Sequence, residues 1–361
     1  MIHSIQQLQL LVKAGHTDWE KDGQVKATYW QGLVQFAYTH ECNNKPPAEW
    51  NYFERISRGL ILDATTGEVV ARPFDKFWNW GQESHLNGYM YSTPTETTEK
   101  MDGSLGILYR HHGLYKIATR GSFESEQAVW ATHWLVEHHN MEGFPEQYTA
   151  LFEIIYPENR IVVDYGTRRG LVLIGVRDRI LGYDHPISRM GWLAEKFGFD
   201  LPQFYEPESV EEVCRTAEDL SGNEEGFVIR FDDGARFKIK GAEYVRLHRF
   251  VSMFSFKHVA EAVRDDVLPE MKEICPDQYK ETLLEMEEAI MRTCDAFEKD
   301  INEVYGHCVR AANAHPLGST EYNKSFARYA LDHHPRKAHF LFCLRDGKSY
   351  RAKMFKTLFD V

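Results

Sequence analysis

The chain has 361 residues and a net charge of −12, with 43% apolar and 27% charged residues. It is long enough for two domains and reads as an ordinary soluble globular protein, not a generally basic nucleic-acid binder. No stretch approaches eighteen apolar residues, and the opening residues lack a basic segment followed by an apolar one, so neither a membrane span nor a signal peptide is expected.

Residues 2–14 have helical spacing and stop before Gly15. Residues 27–40 are rich in aromatics (Tyr29, Trp30, Phe36, Tyr38). Two strands are expected at 57–63 and 68–73, joined by a Thr-Thr-Gly turn and followed by Phe74-Asp75-Lys76-Phe77-Trp78-Asn79. This places Arg58 and Lys76 close together, with Phe77 and Trp78 free to stack on a base or to fill core. Strands resume at 95–100, 105–110 and 114–119, and a turn then carries Arg120. A helix is expected at 124–140. Residues 149–155 read as a buried strand interrupted by Glu153, a carboxylate that needs a partner there. Further strands are expected at 161–163 and 170–177, and helices at 188–198 and 209–220, the last opened by a capping box of Ser209 and Glu212. Glu225-Gly226 leads into a hairpin whose second strand is 236–240, so Lys238 and Lys240 share a face. Two lysines there suit either a polyanion or a solvated edge.

Beyond Gly241 the pattern turns helical. Ala260, Val263, Val267 and Met271 have helical spacing, as do Leu284, Met286, Ile290, Cys294, Phe297 and Ile301. Charge is also uneven: residues 261–303 hold 14 acidic against 5 basic side chains, and residues 324–356 hold 9 basic against 2 acidic. The basic run is a localised patch or a merely solvated end. Six scattered cysteines, none in a CxxC, point to a reducing, cytoplasmic setting without a zinc site. The pairs His111-His112, His138-His139 and His333-His334 read as surface residues.

The stretch around which these pieces gather is Glu99-Lys100-Met101-Asp102-Gly103-Ser104. Asp-Gly between extended runs reads as a tight turn, which puts Lys100 at a strand end facing a cavity. A lysine amine attacks phosphorus or carbonyl centres only once deprotonated, which needs desolvation or nearby cations. A solvated lysine beside a hairpin turn is the plainer alternative.

Arg58, Lys76, Lys100-x-Asp102-Gly103, Arg120, Glu153, Glu225-Gly226 and Lys238-x-Lys240, in that order, resemble the covalent nucleotidyltransferase superfamily of polynucleotide ligases and capping enzymes. The segments 58–63, 74–79 and 152–162 look like the RNA ligase branch, similar to bacteriophage RNA ligases that reseal broken tRNA and to the ligase domain of fungal tRNA ligases. The likeness covers roughly residues 50–245; Met101, Arg120 and Trp78 depart from the usual Glu, Lys and Phe.

The resemblance implies an α+β fold. Residues 1–245 would form a nucleotidyltransferase domain of mainly antiparallel sheets with flanking helices, and residues 246–361 a mostly α-helical domain for RNA specificity. It implies that Lys100 takes AMP from ATP and passes it to an RNA 5′-phosphate, which a 3′-hydroxyl then attacks. Lys238 and Lys240 would face the α-phosphate, Arg58 and Lys76 the outgoing pyrophosphate, and Phe77, Trp78, Asp102, Gly103, Arg120, Glu153 and Gly226 the rest of the nucleotide site. Glu225 would hold Mg²⁺, with Mn²⁺ as an alternative. The expected partner is RNA, as single-stranded ends or a cleaved tRNA loop, with no membrane and a monomeric state. A DNA ligase or capping guanylyltransferase would bring an oligonucleotide-binding barrel after Lys240, where this sequence is helical. A non-catalytic RNA- or nucleotide-binding module would be favoured by loss of Lys100, Glu153, Glu225, Lys238 or Lys240, and all five are present.

Overall fold

The structure is a computed structural model that describes residues 2–82, 89 and 92–361. Its chain divides into two units, Met1–His248 and Arg249–Val361.

The first unit opens with α1 (Ile5–Lys13), started by the Ser4 hydroxyl, which accepts the Gln7 N–H. Its Ile5, Leu8 and Val12 pack on a sheet of β1 (Val25–Trp30), β2 (Leu33–Tyr38), β3 (Arg58–Asp63) and β4 (Val69–Ala71), antiparallel in that order. The aromatic segment is therefore a hairpin. Between β2 and β3 lie α2 (His40–Asn43) and α3 (Tyr52–Ile56); Asn51 and Glu54 form a complete capping box on α3. There follow β5 (Trp78–Asn79), β6 (Glu96–Glu99), β7 (Ser104–His111), β8 (Leu114–Ala118), α4 (Glu126–His138), β9 (Tyr148–Ile155), β10 (Gly170–Asp178) and α5 (Ile187–Phe197). The unit ends with β11 (Phe204–Tyr205), α6 (Val210–Glu218), β12 (Gly226–Arg230), β13 (Arg236–Lys240) and the start of α7 (Ala242–Met253).

These strands make two more sheets, ordered β10-β9-β7-β8 and β11-β6-β12-β13-β5. In β9, Ala150, Phe152 and Ile154 join the core under α4 and α5, so the period of two turns Glu153 to the opposite face. In the other sheet Phe227, Ile229, Phe237 and Ile239 pack with Val210, Val213 and Ala217 of α6. The intervening Val228, Arg230, Arg236 and Lys238 face away from that core.

Several expectations are corrected. Residues 100–103 are not a hairpin turn: β6 pairs with β11 and β12 while β7 pairs with β8 and β9, so this segment crosses between sheets. Residues 161–163 form no strand, because the Val162 and Val163 N–H groups donate to the Asp102 carboxylate at 2.8 and 2.9 Å. Only half of the capping box at Ser209 forms, since the Glu212 carboxylate accepts from the Glu208 N–H at 2.7 Å. His111 is buried, its Nε2 2.9 Å from the Gln31 carbonyl oxygen, and His139 is partly buried against the Phe197 carbonyl.

The second unit comprises α8 (Phe256–Arg264), α9 (Leu268–Ile274), α10 (Asp277–Ala312), α11 (Thr320–His333), α12 (Ala338–Arg345) and α13 (Arg351–Phe359). Leu283, Ile290, Cys294, Ile301, Val304 and Cys308 give α10 its buried stripe; Leu284, placed there by spacing, is 54% exposed. Within the basic run, Lys337 pairs with Asp300, and Arg351 binds the Val263 and Arg264 carbonyls and Asp266 at the end of α8. Among the described residues no helix is long and apolar enough to cross a membrane.

Candidate active site

The polar faces of the second and third sheets enclose a cleft, completed by Arg58, Phe74 and Phe77. Lys100 stands at the end of β6, and its backbone N–H donates to the Gly226 carbonyl at 2.8 Å. That bond sets β6 against the start of β12 and brings Lys100 to Glu225. The Lys100 Nζ lies 2.6 Å from Glu225 Oε2, and the Lys240 Nζ lies 2.8 Å from Glu225 Oε1. The Glu225 side chain is 3% exposed. Burial works against its charge, but the two ammonium groups outweigh burial and hold its carboxyl below the usual range.

Lys238 lies in the same cleft, where burial, and then the charges of Lys100, Arg58, Lys76 and Lys240, push its pKa down to about 7. The Phe77 ring sits 5.3 Å from both the Arg58 guanidinium and the Lys238 Nζ. Arg58 keeps one buried nitrogen, Nη1, without a hydrogen-bond partner among the described residues. The Arg120 guanidinium and the Lys76 Nζ lie 4.5 and 5.2 Å from the ring of Tyr38. Lys76 also donates to Asn43 Oδ1 at 2.8 Å, and burial, reinforced by Arg58 and Arg120, lowers its pKa. Arg58 and Lys238, which line the cleft, thus belong to a group of cations that includes Lys76 and Arg120. Trp78 does not join them: it is core, edge-on to Trp50 at 5.7 Å and clustered with Cys42.

Glu153 accepts the Gly103 N–H at 3.0 Å. Burial pushes its pKa up to about 7, against the pull of Lys100 and Arg58 and with help from the Glu225 charge. Asp102 is spent on the fold. Beyond the two loop amides, its Oδ1 accepts the Tyr244 hydroxyl at 2.8 Å, and its own N–H donates to the Tyr165 hydroxyl at 2.8 Å. Gly103 and Gly226 allow close approach, but to the protein's own strands. A Cβ on Gly103 would fall 2.6 Å from the Ile154 carbonyl oxygen. One on Gly226, whose φ is +137°, would fall 2.1 Å from that of Ile239.

Residues 56–259 match the model of the RNA ligase family. The chain belongs to that family. It is accordingly an RNA ligase, with RNA as its class of substrate. It is 26% identical over 360 residues to an RNA ligase of Rhodothermus phage RM378, covering 80% of this chain and 81% of that protein. It is 29% identical over 254 residues to RNA ligase 1 of bacteriophage TS2126, covering 64% of this chain and 58% of that one. The solved structure of an archaeal ATP-dependent RNA ligase superposes with a TM-score of 0.44 at 14% identity, covering 86% of this chain and 84% of that one.

Three features of this RNA ligase were missed by reading the sequence. Tyr38 is the ring around which the cations gather, and Tyr244 is the buried donor to Asp102; neither carries a local signal. The third is the ion pair of Glu96 and Arg230, which lines the cleft with Arg236 and Asp184. The alternation Glu96, Thr98, Lys100 along β6 is a sequence signal that could have found Glu96.

Proposed function

We propose that this chain seals RNA ends in an ATP-dependent reaction through a lysyl-AMP on Lys100. The observation that carries the reading is the pair of lysines, Lys100 and Lys240, on one buried carboxylate, Glu225, beside the cations Lys238 and Arg58. The Lys100 Nζ forms a bond to the α-phosphorus of ATP as the bond to the β-phosphate oxygen breaks, and pyrophosphate leaves. Opening of the pair with Glu225 releases the proton of Lys100 to solvent and frees its lone pair. Lys238 and Lys240 meet the charge that builds on the α-phosphate. Arg58, with a buried nitrogen that has no partner among the described residues, meets the outgoing pyrophosphate together with Lys76 and Arg120.

The donor set fits a hydrated Mg²⁺, an ion commonly held by one or two carboxylates plus substrate phosphates. Glu225 supplies one such carboxylate, and no cluster of three or more ligating side chains occurs among the described residues. When bound, the ion spreads the negative charge of the phosphates. AMP then passes to an RNA 5′-phosphate, and a 3′-hydroxyl displaces it. The helical second unit grips RNA, as single-stranded ends or a cleaved tRNA loop, through exposed Lys324, Arg328, Arg336, Lys353 and Lys356. The protein works in the cytoplasm as a monomer.

The test is incubation with α-labelled ATP and Mg²⁺, followed by transfer to single-stranded 5′-phosphate RNA, nicked duplex and cleaved tRNA. An acid-labile AMP adduct that vanishes in Lys100→Ala is expected. An adduct that persists in that variant removes Lys100 from the role.

A further inference from the structure

The cleft has two unlike ends. One holds Lys100, Glu153, Arg58 and Lys238. The other holds Glu96 and Arg230, which face each other in register on β6 and β12. Arg230 donates to Glu96 through Nε at 2.7 Å and Nη2 at 2.5 Å, and the Ile187 N–H donates to the same carboxylate at 3.0 Å. Four strand residues place Glu96 about 13 Å from Lys100 along β6. The rest of the lining includes Thr98, Ile174, Val176, Met190 and Val228, a mostly apolar slot suited to the flat faces of a base. Two residues that line the cleft, Arg58 and His185, the latter 8% exposed, each keep a buried polar atom, Nη1 and Nε2, without a hydrogen-bond partner among the described residues. A ligand with phosphates at one extremity and a polar ring edge at the other would satisfy both.

We propose that Glu96, held in place by Arg230, selects adenine over guanine by accepting a hydrogen bond from the base's six-amino group. The proposal rests on reading the cleft as a nucleoside triphosphate site. A carboxylate offers about four lone-pair positions. Arg230 and Ile187 occupy three on Glu96, which leaves one acceptor on Oε2. Adenine presents an N–H donor at position six, whereas guanine presents a carbonyl oxygen, a second acceptor that a carboxylate repels. The Arg230 fork, with two donors committed to Glu96, keeps the carboxylate pointed along the sheet; its remaining donors and His185 are available to a ring nitrogen.

The experiment measures covalent labelling of the full chain, with Mg²⁺, by five triphosphates: ATP, 2,6-diaminopurine riboside triphosphate, purine riboside triphosphate, inosine triphosphate and GTP. The first two, which carry the six-amino group, should label alike. For purine riboside and inosine the KM should rise by at least about tenfold, the scale of one lost hydrogen bond to a charged group. Glu96→Gln, with folding checked by circular dichroism, should narrow the gap between ATP and inosine triphosphate by about tenfold. Should that variant not fold, the analogue series on the unaltered chain decides alone. Equal use of ATP, purine riboside and inosine triphosphates by the unaltered chain would overturn the proposal and leave lysyl-nucleotide chemistry standing. No adduct with any of the five would overturn the triphosphate reading, and this selection with it.

Discussion

Glu225→Gln should destabilise the first unit much more than Lys100→Ala. In the native chain one carboxylate, 3% exposed, is shared by lysines at 2.6 and 2.8 Å whose side chains are 19% and 24% exposed. Removing the Lys100 amine leaves Glu225 paired with Lys240, one charge against one. Removing the carboxylate charge leaves two ammonium groups facing each other across an amide. Loss of one partner from a buried ion pair costs about 3–5 kcal/mol. Truncating Lys100, where a second partner remains, should cost about 1 kcal/mol. In a unit of this size 1 kcal/mol moves the melting midpoint by about 2–4 °C, so Glu225→Gln should melt roughly 6–20 °C lower and Lys100→Ala only roughly 2–4 °C lower. Thermal unfolding followed by circular dichroism, at neutral pH without nucleotide, measures both. If the two variants melted together, or Glu225→Gln melted with the wild type, the two lysines would not be held by this carboxylate.

Tyr244→Phe should leave the Asp102 carboxylate one donor short in a buried site, at a cost of about 1–3 kcal/mol in denaturant unfolding, and should slow adduct formation by loosening the loop that follows Lys100. Stability should pass through a minimum near pH 7. Glu153, raised from 4.5 to about 7, binds more protons folded than unfolded, so its contribution is full below about pH 4.5 and is lost as pH rises to about 7. Lys238, lowered from 10.5 to about 7, binds fewer protons folded, so its penalty is full below about pH 7 and lifts towards 10.5. Urea unfolding across this range should show the minimum in the wild type and a flatter profile in Glu153→Gln Lys238→Met; an unchanged minimum would remove both groups from the account. Neutralising Lys324, Arg328, Arg336, Lys353 and Lys356 together should weaken RNA sealing and flatten its salt dependence by about 0.7 log unit per tenfold salt for each phosphate no longer gripped, with adenylylation unchanged. Equal loss of both steps would place these residues in the fold or the nucleotide site.

Much of the architecture was legible because its signals are local. An apolar run marked β9, a turn between two strand patterns marked the hairpin of β12 and β13, and alternation showed that Lys238 and Lys240 share a face. The interruption of an apolar strand by Glu153 showed a carboxylate in need of partners, and the structure supplies Gly103 and the charges of Lys100 and Arg58. Helical spacing marked α10, though a stripe read one residue off places Leu284 where Leu283 belongs, since adjacent leucines carry the same hydropathy.

What the sequence by itself determined was thus the order of strands and helices, the family, and the residue types that could do the chemistry. Which of those residues meet was decided only by tertiary structure. Lys100 and Glu225 are 125 positions apart and touch because β6 and β12 pair in one register. Asp102, a plausible ligand by its position, turns inward because two loop amides and a tyrosine hydroxyl reach it first. Trp78 is core while its neighbour Phe77 carries the cations, a difference that the pairing of β5 with β13 makes and composition does not. The physical reason is the same in each case. A residue's type sets which bonds it can form, but the partners within about 3 Å that satisfy it come from distant strands and loops, and only folding brings them there.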